Sequence, residues 1–385
     1  MAYTALARRY RSQNFDEVVG QESIARTLKN AVDSGRVGHA YLFTGTRGVG
    51  KTTSARLFAK MLNGGTPEVD AQIMAGADTD TIEIDAASNT GVDNARELIA
   101  NSVYKPLRGK YKIYIIDEVH MLSTAAFNAL LKTMEEPPEH VKFILCTTDA
   151  HKVPATIQSR CQRYDFRSIP TSKIAQHLGE VLKLEKHTAD PELLYAVARM
   201  ANGSMRDGLS LLDRVLASGE KHLSVKLLEE LLGLPARDVI SAIIDAIADG
   251  QPGPVLEKAQ ELLARGNSIE QFIEALLLRF RDLMVISACG PETALVELAG
   301  EARSDEAKRA LRFDAAGIVH MIALCESVRN TVKHTTVPRA ILDGMLVRLA
   351  LTEKLADVTA VVTGSLNGAS SSPGRVSREP LAKKA

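Results

Sequence analysis

Short apolar runs alternate with helical patterns over the first 166 residues of the chain. Each run is rich in Ile, Val, Tyr or Phe, as expected for strands that are covered on both faces. This alternation is typical of an α/β unit with a parallel sheet. The predicted strands are His39–Phe43, Thr81–Ile84, Ile113–Asp117, Lys142–Thr147 and Arg163–Phe166.

The patterns between these runs predict helices, for example at Lys51–Leu62 and Ala125–Met134. The second helix must end before Pro137 and Pro138, because proline lacks the N–H group and its ring clashes with the preceding turn.

After Pro170 the strand signal disappears, and only helices are predicted. Two apolar stripes in this part repeat at i, i+3, i+4 and i+7, which is the spacing of one helical face. A helical stripe of this kind usually belongs to a core, although it can also pack on a partner subunit. The stripes are Ile240, Ile243, Ile244, Ile247 and Ile273, Leu276, Leu277, Phe280.

These patterns divide the chain into four segments. We predict an α/β domain over residues 1–168, a small helical domain over 169–233 and an all-helical domain over 234–357. Residues 358–385 are rich in Gly, Ser and Pro and lack periodicity, so they are predicted to be a linker or a disordered tail.

Composition adds a few exclusions. Lys plus Arg and Asp plus Glu are each 47, so the chain has no overall basic charge for coating nucleic acid. This balance does not exclude a local basic face. The four cysteines form no CxxC motif and indicate a reducing compartment. The N-terminus lacks a signal-peptide pattern and no apolar run is long enough to span a membrane, so we expect a cytoplasmic protein.

The segment GTRGVGKT, from Gly45 to Thr52, matches the phosphate-binding pattern G-x-x-x-x-G-K-[ST]. It follows a predicted strand and opens a predicted helix, as the motif requires. The glycines let successive N–H groups face one anion, and the helix adds its positive end. Lys51 would contact the β- and γ-phosphates and Thr52 would bind Mg²⁺. The alternative, a simple strand-to-helix turn, does not explain Lys and Thr in register.

Asp117 and Glu118 end the apolar run KIYII. This places both carboxylates at the carboxyl edge of a parallel sheet, where ligands bind. Asp117 would then hold Mg²⁺ and Glu118 would polarise the attacking water. Taken alone, the pair could equally be a solvated turn.

Three further positions are suggestive through their location. Thr148 ends the next strand and could orient water or bind the γ-phosphate, although Thr is common in strands. Arg160 lies beyond the ligand edge, where it is either a solvated residue or an arginine finger for a neighbouring subunit. Arg206 lies in the small helical domain and could couple phosphate binding to domain closure.

Taken together, these motifs resemble the gamma/tau subunits of bacterial DNA polymerase III, which are clamp-loader ATPases of the AAA+ type. The matching stretches are ARRYRSQNFDEVVGQE, HAYLFTGTRGVGKTT, IEIDAASNTGVDNARELI, YKIYIIDEVHMLSTAAFNALLKTMEEPPEHVKFILCTTD, ATIQSRCQRYDF and GSMRDGLSLLD. They cover most of residues 1–215. The resemblance implies an α/β P-loop AAA+ core with a parallel sheet, a small helical lid domain and an all-α collar domain.

The resemblance implies ATP and Mg²⁺ as cofactors and assigns a role to each motif. Thr52 and Asp117 serve the metal, Glu118 is the catalytic base and Thr148 is the residue called sensor 1. Arg160 is the finger that acts on a neighbour, and Arg206 is sensor 2. The phosphates are bound by Gly45, Thr46, Arg47, Gly48, Val49, Gly50, Lys51, Thr52 and Thr53, and the adenine pocket is lined by Tyr10, Val18, Val19 and Gly20.

The resemblance also implies partners. These are other clamp-loader subunits in a pentameric ring or spiral, the sliding clamp, and primed-template DNA contacted through its phosphates; no membrane partner is implied. A helix begun by Ser88, Asn89 and Thr90 would face DNA and carries Arg96. Arg96 could equally be a solvated helical charge.

The sequence departs from the family pattern in three places. The family's four-cysteine zinc module is replaced by LNGGTPEVDAQIM, which has no cysteine, so we expect no zinc site there. Ser12 stands where the family usually has Pro. The chain ends soon after the collar, which suggests the short form of the subunit or a truncated one.

Two other functions compete with the clamp-loader motor. A non-hydrolysing structural subunit would not need the full set of Lys51, Asp117, Glu118 and Arg160. A branch-migration helicase should carry a winged helix after the lid, yet the C-terminal third lacks the β-hairpin signal of a wing.

Overall fold

The computed structural model describes residues 3–88, 99–293, 295, 296, 298 and 300–351. The chain divides into two compact units, one over residues 1–225 and the other from Lys226 onward. The predicted DNA-facing helix with Arg96 and the predicted tail 358–385 lie outside the described residues. The boundaries between the four predicted segments remain predictions.

The first unit is built on a five-stranded parallel sheet in the order β2-β3-β4-β1-β5. All five predicted strands are present, with ends shifted by one residue in most cases. The strands are β1 (Ala40–Thr44), β2 (Thr81–Asp85), β3 (Lys112–Asp117), β4 (Val141–Thr147) and β5 (Gln162–Asp165).

Helices surround the sheet and continue into the small helical part of the first unit. Two of them confirm the helices predicted after the phosphate-binding motif and before Pro137. They are α1 (Leu6–Arg9), α2 (Glu22–Asp33), α3 (Lys51–Asn63), α4 (Pro67–Ala75), α5 (Thr124–Glu135), α6 (Ala155–Gln158), α7 (Thr171–Leu184), α8 (Pro191–Met200) and α9 (Met205–Leu216).

The central strands of the sheet are the most deeply covered. Every residue of β1 and β4 is buried. Because the strands are parallel, their carboxyl ends meet at one edge of the sheet. The carboxyl ends of β1, β3 and β4 and the residues that follow them therefore lie at this edge, and they carry Lys51, Asp117 and Thr148.

Helix α4 occupies the segment where the family's zinc module would stand. Its first turn is capped by the Thr66 hydroxyl and has Pro at its start, and Gly76 ends it in a left-handed conformation. Arg56 of α3 anchors it by donating to the Met74 carbonyl and pairing with Glu83 on β2. Ordinary helix capping, the Arg56 contact with the Met74 carbonyl and an ion pair of 3.4 Å between Lys60 of α3 and Asp70 thus hold this segment on the core.

One sequence expectation was wrong. The part after Pro170 is not purely helical, because β6 (Thr188–Ala189) pairs in parallel with β7 (His222–Leu223). The pairing continues through backbone bonds from Thr188 N to Lys221 O and from Asp190 N to Leu223 O, 3.1 and 3.0 Å long. Two-residue strands are too short to produce an alternating pattern, so periodicity cannot predict them.

The second unit is helical throughout its described part. Both predicted stripes face its core: seven of their eight residues are buried, and Leu277 packs against the same cluster. The core reading of these stripes is therefore confirmed. The helices are α10 (Val225–Leu232), α11 (Arg237–Ala248), α12 (Pro252–Ala264), α13 (Ile269–Cys289), α14 (Gly300–Ala310), α15 (Ala315–Val332) and α16 (residues 338–351).

Helix α13 begins with a capping box in which Ser268 and Gln271 satisfy each other's backbone N–H groups. Within the described ranges, no helix combines the length and the apolarity needed to cross a bilayer.

Candidate nucleotide-binding and hydrolysis site

The phosphate-binding loop joins β1 to α3 through conformations that only glycine adopts readily. Gly48 has a φ of +75°, and a Cβ atom there would lie 1.9 Å from the Ser204 hydroxyl. Gly45 has a φ of +143°, and a Cβ atom there would lie 2.4 Å from the Phe166 carbonyl oxygen. Helix α3 begins at Lys51 directly after Gly50, so its first N–H groups face the loop.

Lys51 points into the concave side of this loop. The residue is buried, and its ammonium group donates hydrogen bonds of 2.8 Å to the carbonyl oxygens of Gly45 and Thr46. Burial lowers the pKa of the Lys51 ammonium, while the carboxylates of Glu118 and Asp117 oppose that shift. A buried cation held by neutral carbonyls is well placed to gain from an incoming phosphate.

Thr52 and Asp117 form the next part of the site. The Thr52 hydroxyl donates a hydrogen bond of 2.7 Å to Asp117 Oδ2. Burial raises the pKa of Asp117, and the charge of Glu118 adds to this effect. A hydroxyl and a carboxylate at this distance are hard oxygen ligands of the kind that Mg²⁺ prefers, so the residues present fit this ion.

Glu118 lies beside them with a left-handed backbone, at a φ of +46°. A non-glycine residue in this region is uncommon and often marks a functional position. One carboxylate oxygen of Glu118 accepts hydrogen bonds from the backbone N–H and the hydroxyl of Thr148, 3.2 and 2.8 Å long. The structure therefore brings together Lys51, Thr52, Asp117, Glu118 and Thr148, as the sequence predicted.

His120 is a neighbour of this group that sequence reasoning missed. Its Nδ1 atom lies 3.4 Å from the same Glu118 oxygen and 3.0 Å from the hydroxyl of Thr147. Thr147 is fully buried, and its hydroxyl oxygen also accepts the N–H of Asp149 at 3.0 Å. The available signal was a histidine two positions after the proposed base.

The small helical part of the first unit, called the lid below, contacts the phosphate-binding loop at the start of α9. The N–H of Met205 donates a hydrogen bond of 3.1 Å to the Gly48 carbonyl. Ser204 caps α9 and packs on Gly48, which explains why a side chain does not fit there. Arg206 is in the first turn of α9, and its Cβ atom lies 3.3 Å from the Cβ position of Gly48.

The four residues predicted to line the adenine pocket do not all lie together. Val18 is buried and lies 3.9 Å from the Cβ position of Gly50, and Gly20 packs against Ile169. Val19 is half-buried between them. Tyr10 instead donates its hydroxyl to Glu185, at the end of α7. Val18 is thus brought to the phosphate-binding loop, while Tyr10 is bonded to the lid.

Gln21 is a second residue that the sequence did not single out. Its side-chain amide donates to the carbonyls of Val49, at 3.4 Å, and Arg167, at 2.7 Å. Its oxygen accepts the N–H of Arg167 at 3.3 Å. Gln21 therefore ties the phosphate-binding loop to the segment that leads from β5 into α7.

Arg160 stands apart from this group. In the described part of the chain its polar partners are the Thr156 carbonyl, at 2.7 Å, and the carboxylate of Glu135. About a third of its side chain is exposed. It is held on α5 and α6.

A phosphate-binding loop between strand and helix, an acidic pair at the end of β3 and a helical lid against the loop define a P-loop protein with the AAA+ fold. Family models match nearly the whole chain after residue 19. Residues 20–170 match "DNA polymerase III, delta subunit", residues 173–221 match "DNA polymerase III clamp loader subunit, ATPase lid domain", and residues 223–363 match "DNA polymerase III subunits gamma and tau domain III".

Similar proteins carry the same family name. The chain is 44% identical to DNA polymerase III subunit tau of Escherichia coli over 77% of its own length and 48% of that protein. It is 39% identical to subunit tau of Bacillus subtilis over 94% of its length and 66% of that protein. It is 45% identical to subunit gamma of Buchnera aphidicola over 61% of its length and 67% of that protein.

The chain belongs to the family of DNA polymerase III gamma and tau subunits. It spans about half the length of the E. coli relative that it matches. Among solved structures, RuvB of Thermotoga maritima aligns with a TM-score of 0.47 and 17% identity, over 69% of this chain and 90% of that one.

Proposed function

We propose that this chain binds ATP with Mg²⁺ and hydrolyses it as the motor subunit of the DNA polymerase III clamp loader, which places a sliding clamp on primed DNA. Two contacts at one sheet edge carry the proposal. They are the bond between Thr52 and Asp117 and the bond between Thr148 and Glu118. The tau and gamma relatives support the assignment to this assembly.

The residues of the site have separate roles in this proposal. The loop N–H groups and Lys51 hold the β- and γ-phosphates, and Thr52 and Asp117 hold the metal. Mg²⁺ would neutralise charge that develops on the phosphate oxygens. Glu118 orients the attacking water and accepts its proton. Arg206 reaches the γ-phosphate from the lid, and Val18, Val19 and Gly20, with Tyr10, recognise adenine.

Hydrolysis is proposed to depend on assembly. Arg160 is exposed in part and makes its polar contacts on α5 and α6, away from the nucleotide site of its own chain, which supports a role on the nucleotide of a neighbouring subunit. In a pentameric ring or spiral, the neighbour's Arg160 would complete the hydrolysis site that holds ATP at each subunit boundary. The sliding clamp and the phosphates of primed-template DNA would be the other partners.

The first test is steady-state ATP hydrolysis by the chain mixed with its candidate clamp-loader partners. Turnover is measured with and without sliding clamp plus primed-template DNA, and Glu118→Gln is the control. Stimulation by clamp and DNA that Glu118→Gln abolishes supports the proposal. Turnover that ignores both ligands contradicts the clamp-loader assignment and leaves an ATPase of another machine.

The second test concerns Arg160. Arg160→Ala subunits are assembled with wild-type neighbours, and turnover is assigned to single sites by combining them with Glu118→Gln. Loss at the adjacent site alone supports action on a neighbour. The expected loss is about 10³-fold or more, by analogy with other arginine fingers. Unchanged turnover in an assembly made only of Arg160→Ala subunits contradicts the role.

A further inference from the structure

The N-terminal arm, residues 3–10, is bonded to the lid by two lid carboxylates. Asp213 on α9 accepts the hydroxyl of Tyr3 and the backbone N–H of Leu6, the latter at 3.3 Å. Glu185, at the end of α7, accepts the guanidinium of Arg9 and the hydroxyl of Tyr10. Leu6 is buried and α1 packs on α9. The arm is thus a fixed part of the lid.

The helix that carries Asp213 also carries Arg206. Helix α9 starts at the phosphate-binding loop, where Met205 N–H donates to the Gly48 carbonyl. Asp213 follows seven positions after Arg206, which is about 10 Å further along the helix axis. The orientation of α9, and with it the position of Arg206, is therefore set at one end by the loop and at the other end by the arm.

The arm is attached to the core as well as to the lid. Just beyond it, the carbonyl of Gln13 accepts a hydrogen bond of 3.1 Å from Lys60. Lys60 is near the end of α3, the helix that begins at Lys51 in the loop. Helices α3 and α9 thus both start at the phosphate-binding loop, and the arm together with the segment up to Gln13 connects them again at their far ends.

The negative charge of Asp213 interacts unfavourably with the dipole of α9. An acidic residue in the last turn faces the negative end of the helix dipole, and Asp is a weak helix former. The two hydrogen bonds to the arm offset that cost and account for an acid at this position.

We propose that Asp213 is a positioning residue: by holding the N-terminal arm, it fixes α9 so that Arg206 faces the γ-phosphate. This inference rests on the proposed nucleotide site and on the role of Arg206. The arm then keeps the lid in the orientation that distinguishes ATP from ADP.

The test measures equilibrium binding of ATPγS and of ADP, each with Mg²⁺, to the full chain. The variants are Asp213→Ala, Arg206→Ala and the double variant. Arg214→Ala is the matched control, since Arg214 neighbours Asp213 on α9 and is exposed. Tyr3→Phe, which removes one donor to Asp213, is the milder variant in case Asp213→Ala perturbs folding.

We expect Asp213→Ala to weaken ATPγS binding by about fivefold or more, as loss of hydrogen bonds to a charged group can do, and to change ADP binding by less than about twofold. In the Arg206→Ala background the same substitution should have no further effect. Tyr3→Phe should shift the same ratio in the same direction. Equal losses for both nucleotides, or losses that add to those of Arg206→Ala, would overturn the proposal in favour of a purely structural contact.

This outcome is separate from that of the proposed function, because neither clamp nor DNA enters the binding measurement. Hydrolysis that ignores clamp and DNA would contradict the clamp-loader assignment and leave the binding ratio to decide the role of Asp213.

Discussion

The hydroxyl of Thr148 donates a hydrogen bond of 2.8 Å to the carboxylate of Glu118, and the backbone N–H of Thr148 donates another, 3.2 Å long, to the same oxygen. Both donors belong to the residue that directly follows β4, and Glu118 directly follows β3. The pairing of these adjacent parallel strands therefore sets the direction of the proposed catalytic carboxylate.

Replacing Thr148 separates the hydroxyl from the backbone donor. Thr148→Val keeps the shape and the N–H but removes the hydroxyl, so we expect kcat for ATP hydrolysis in the assembled complex to fall by about 10²-fold, as for loss of one well-placed donor. KM should change little. Steady-state kinetics measure both constants. Thr148→Ser is the control and should retain most activity; a Val variant as active as wild type would show that the hydroxyl is dispensable.

Asp117 should make stability depend on pH in a defined direction. Burial raises its pKa above the ordinary value of 3.8. Between that value and the raised one, the folded state binds more protons than the unfolded state, so the free energy of unfolding falls as pH increases. Above the raised pKa, the penalty for the buried charge is fully present.

Asp117→Asn removes this penalty. At neutral pH and without nucleotide, the variant should unfold at a higher temperature than wild type, but it should lose the stabilisation that ATP with Mg²⁺ gives. Thermal unfolding with and without Mg²⁺ and ATP measures both effects. Asp149→Asn is the control, since the hydrogen bond from Lys152 lowers the pKa of Asp149 and its removal should not stabilise. A less stable Asp117→Asn variant would contradict the argument.

The sheet and the side chains grouped at its edge could be predicted because each rests on a local pattern. The run KIYIID, followed by Glu118, predicts a buried strand with acidic residues at its end, and GTRGVGKT predicts a turn and the start of a helix. Because parallel strands end at one edge of the sheet, Asp117 at the end of β3 and Thr52 after β1 lie at the same edge, with β4 between the two strands. Stripes such as Ile240 to Ile247 likewise identify a core face from spacing alone.

The rest depended on contacts between distant segments. Nothing near Asp213 indicates that it holds residues more than 200 positions away, and nothing near Ser204 indicates that it packs on Gly48. The two-residue strands at Thr188 and His222 are stabilised by pairing that only the folded chain provides. Long-range contacts of this kind leave no periodic trace in sequence.

Gly48 lies directly against the start of α9 in the lid and leaves no room for a side chain. Gly48→Ala would place a methyl group 1.9 Å from the Ser204 hydroxyl at a φ of +75°, so both the contact and the backbone conformation would be strained. We expect ATP affinity to fall by more than about tenfold, since the loop must shift. Equilibrium binding of ATPγS measures this loss.

A second variant separates the two sources of strain at Gly48. Adding Ser204→Gly removes the clash but leaves the positive φ, so it should restore affinity only in part. Gly65→Ala is the control, because a Cβ atom there meets no other atom within 4 Å. Full retention of affinity in Gly48→Ala would mean that the lid does not bind the loop as closely as described.

In the second unit, a buried ion pair joins α13 to α14. Arg279 pairs with Glu306 and donates a hydrogen bond of 2.7 Å to Ser241, and both charged side chains are nearly covered, at 11% and 1% exposure. Burial lowers the pKa of Arg279 to about 10. In the described structure one oxygen of Glu306 and Nε of Arg279 lack hydrogen-bond partners. Arg309 donates a further hydrogen bond of 3.0 Å to the Glu306 oxygen that Arg279 contacts, so the pair is compensated in part but is still costly to bury.

Removing one partner of the Arg279–Glu306 pair should destabilise the second unit more than removing both. Glu306→Leu leaves the Arg279 charge buried, and we expect a loss of about 3–5 kcal/mol in the free energy of unfolding of the second unit. Arg279→Met combined with Glu306→Leu removes both charges and should restore most of that stability. Native-state hydrogen exchange of the α13 amides in the full chain measures the change in the affected unit. If the double variant is as unstable as Glu306→Leu alone, Glu306 stabilises the fold through more than neutralising Arg279, and its ion pair with Arg309 would have to carry the difference.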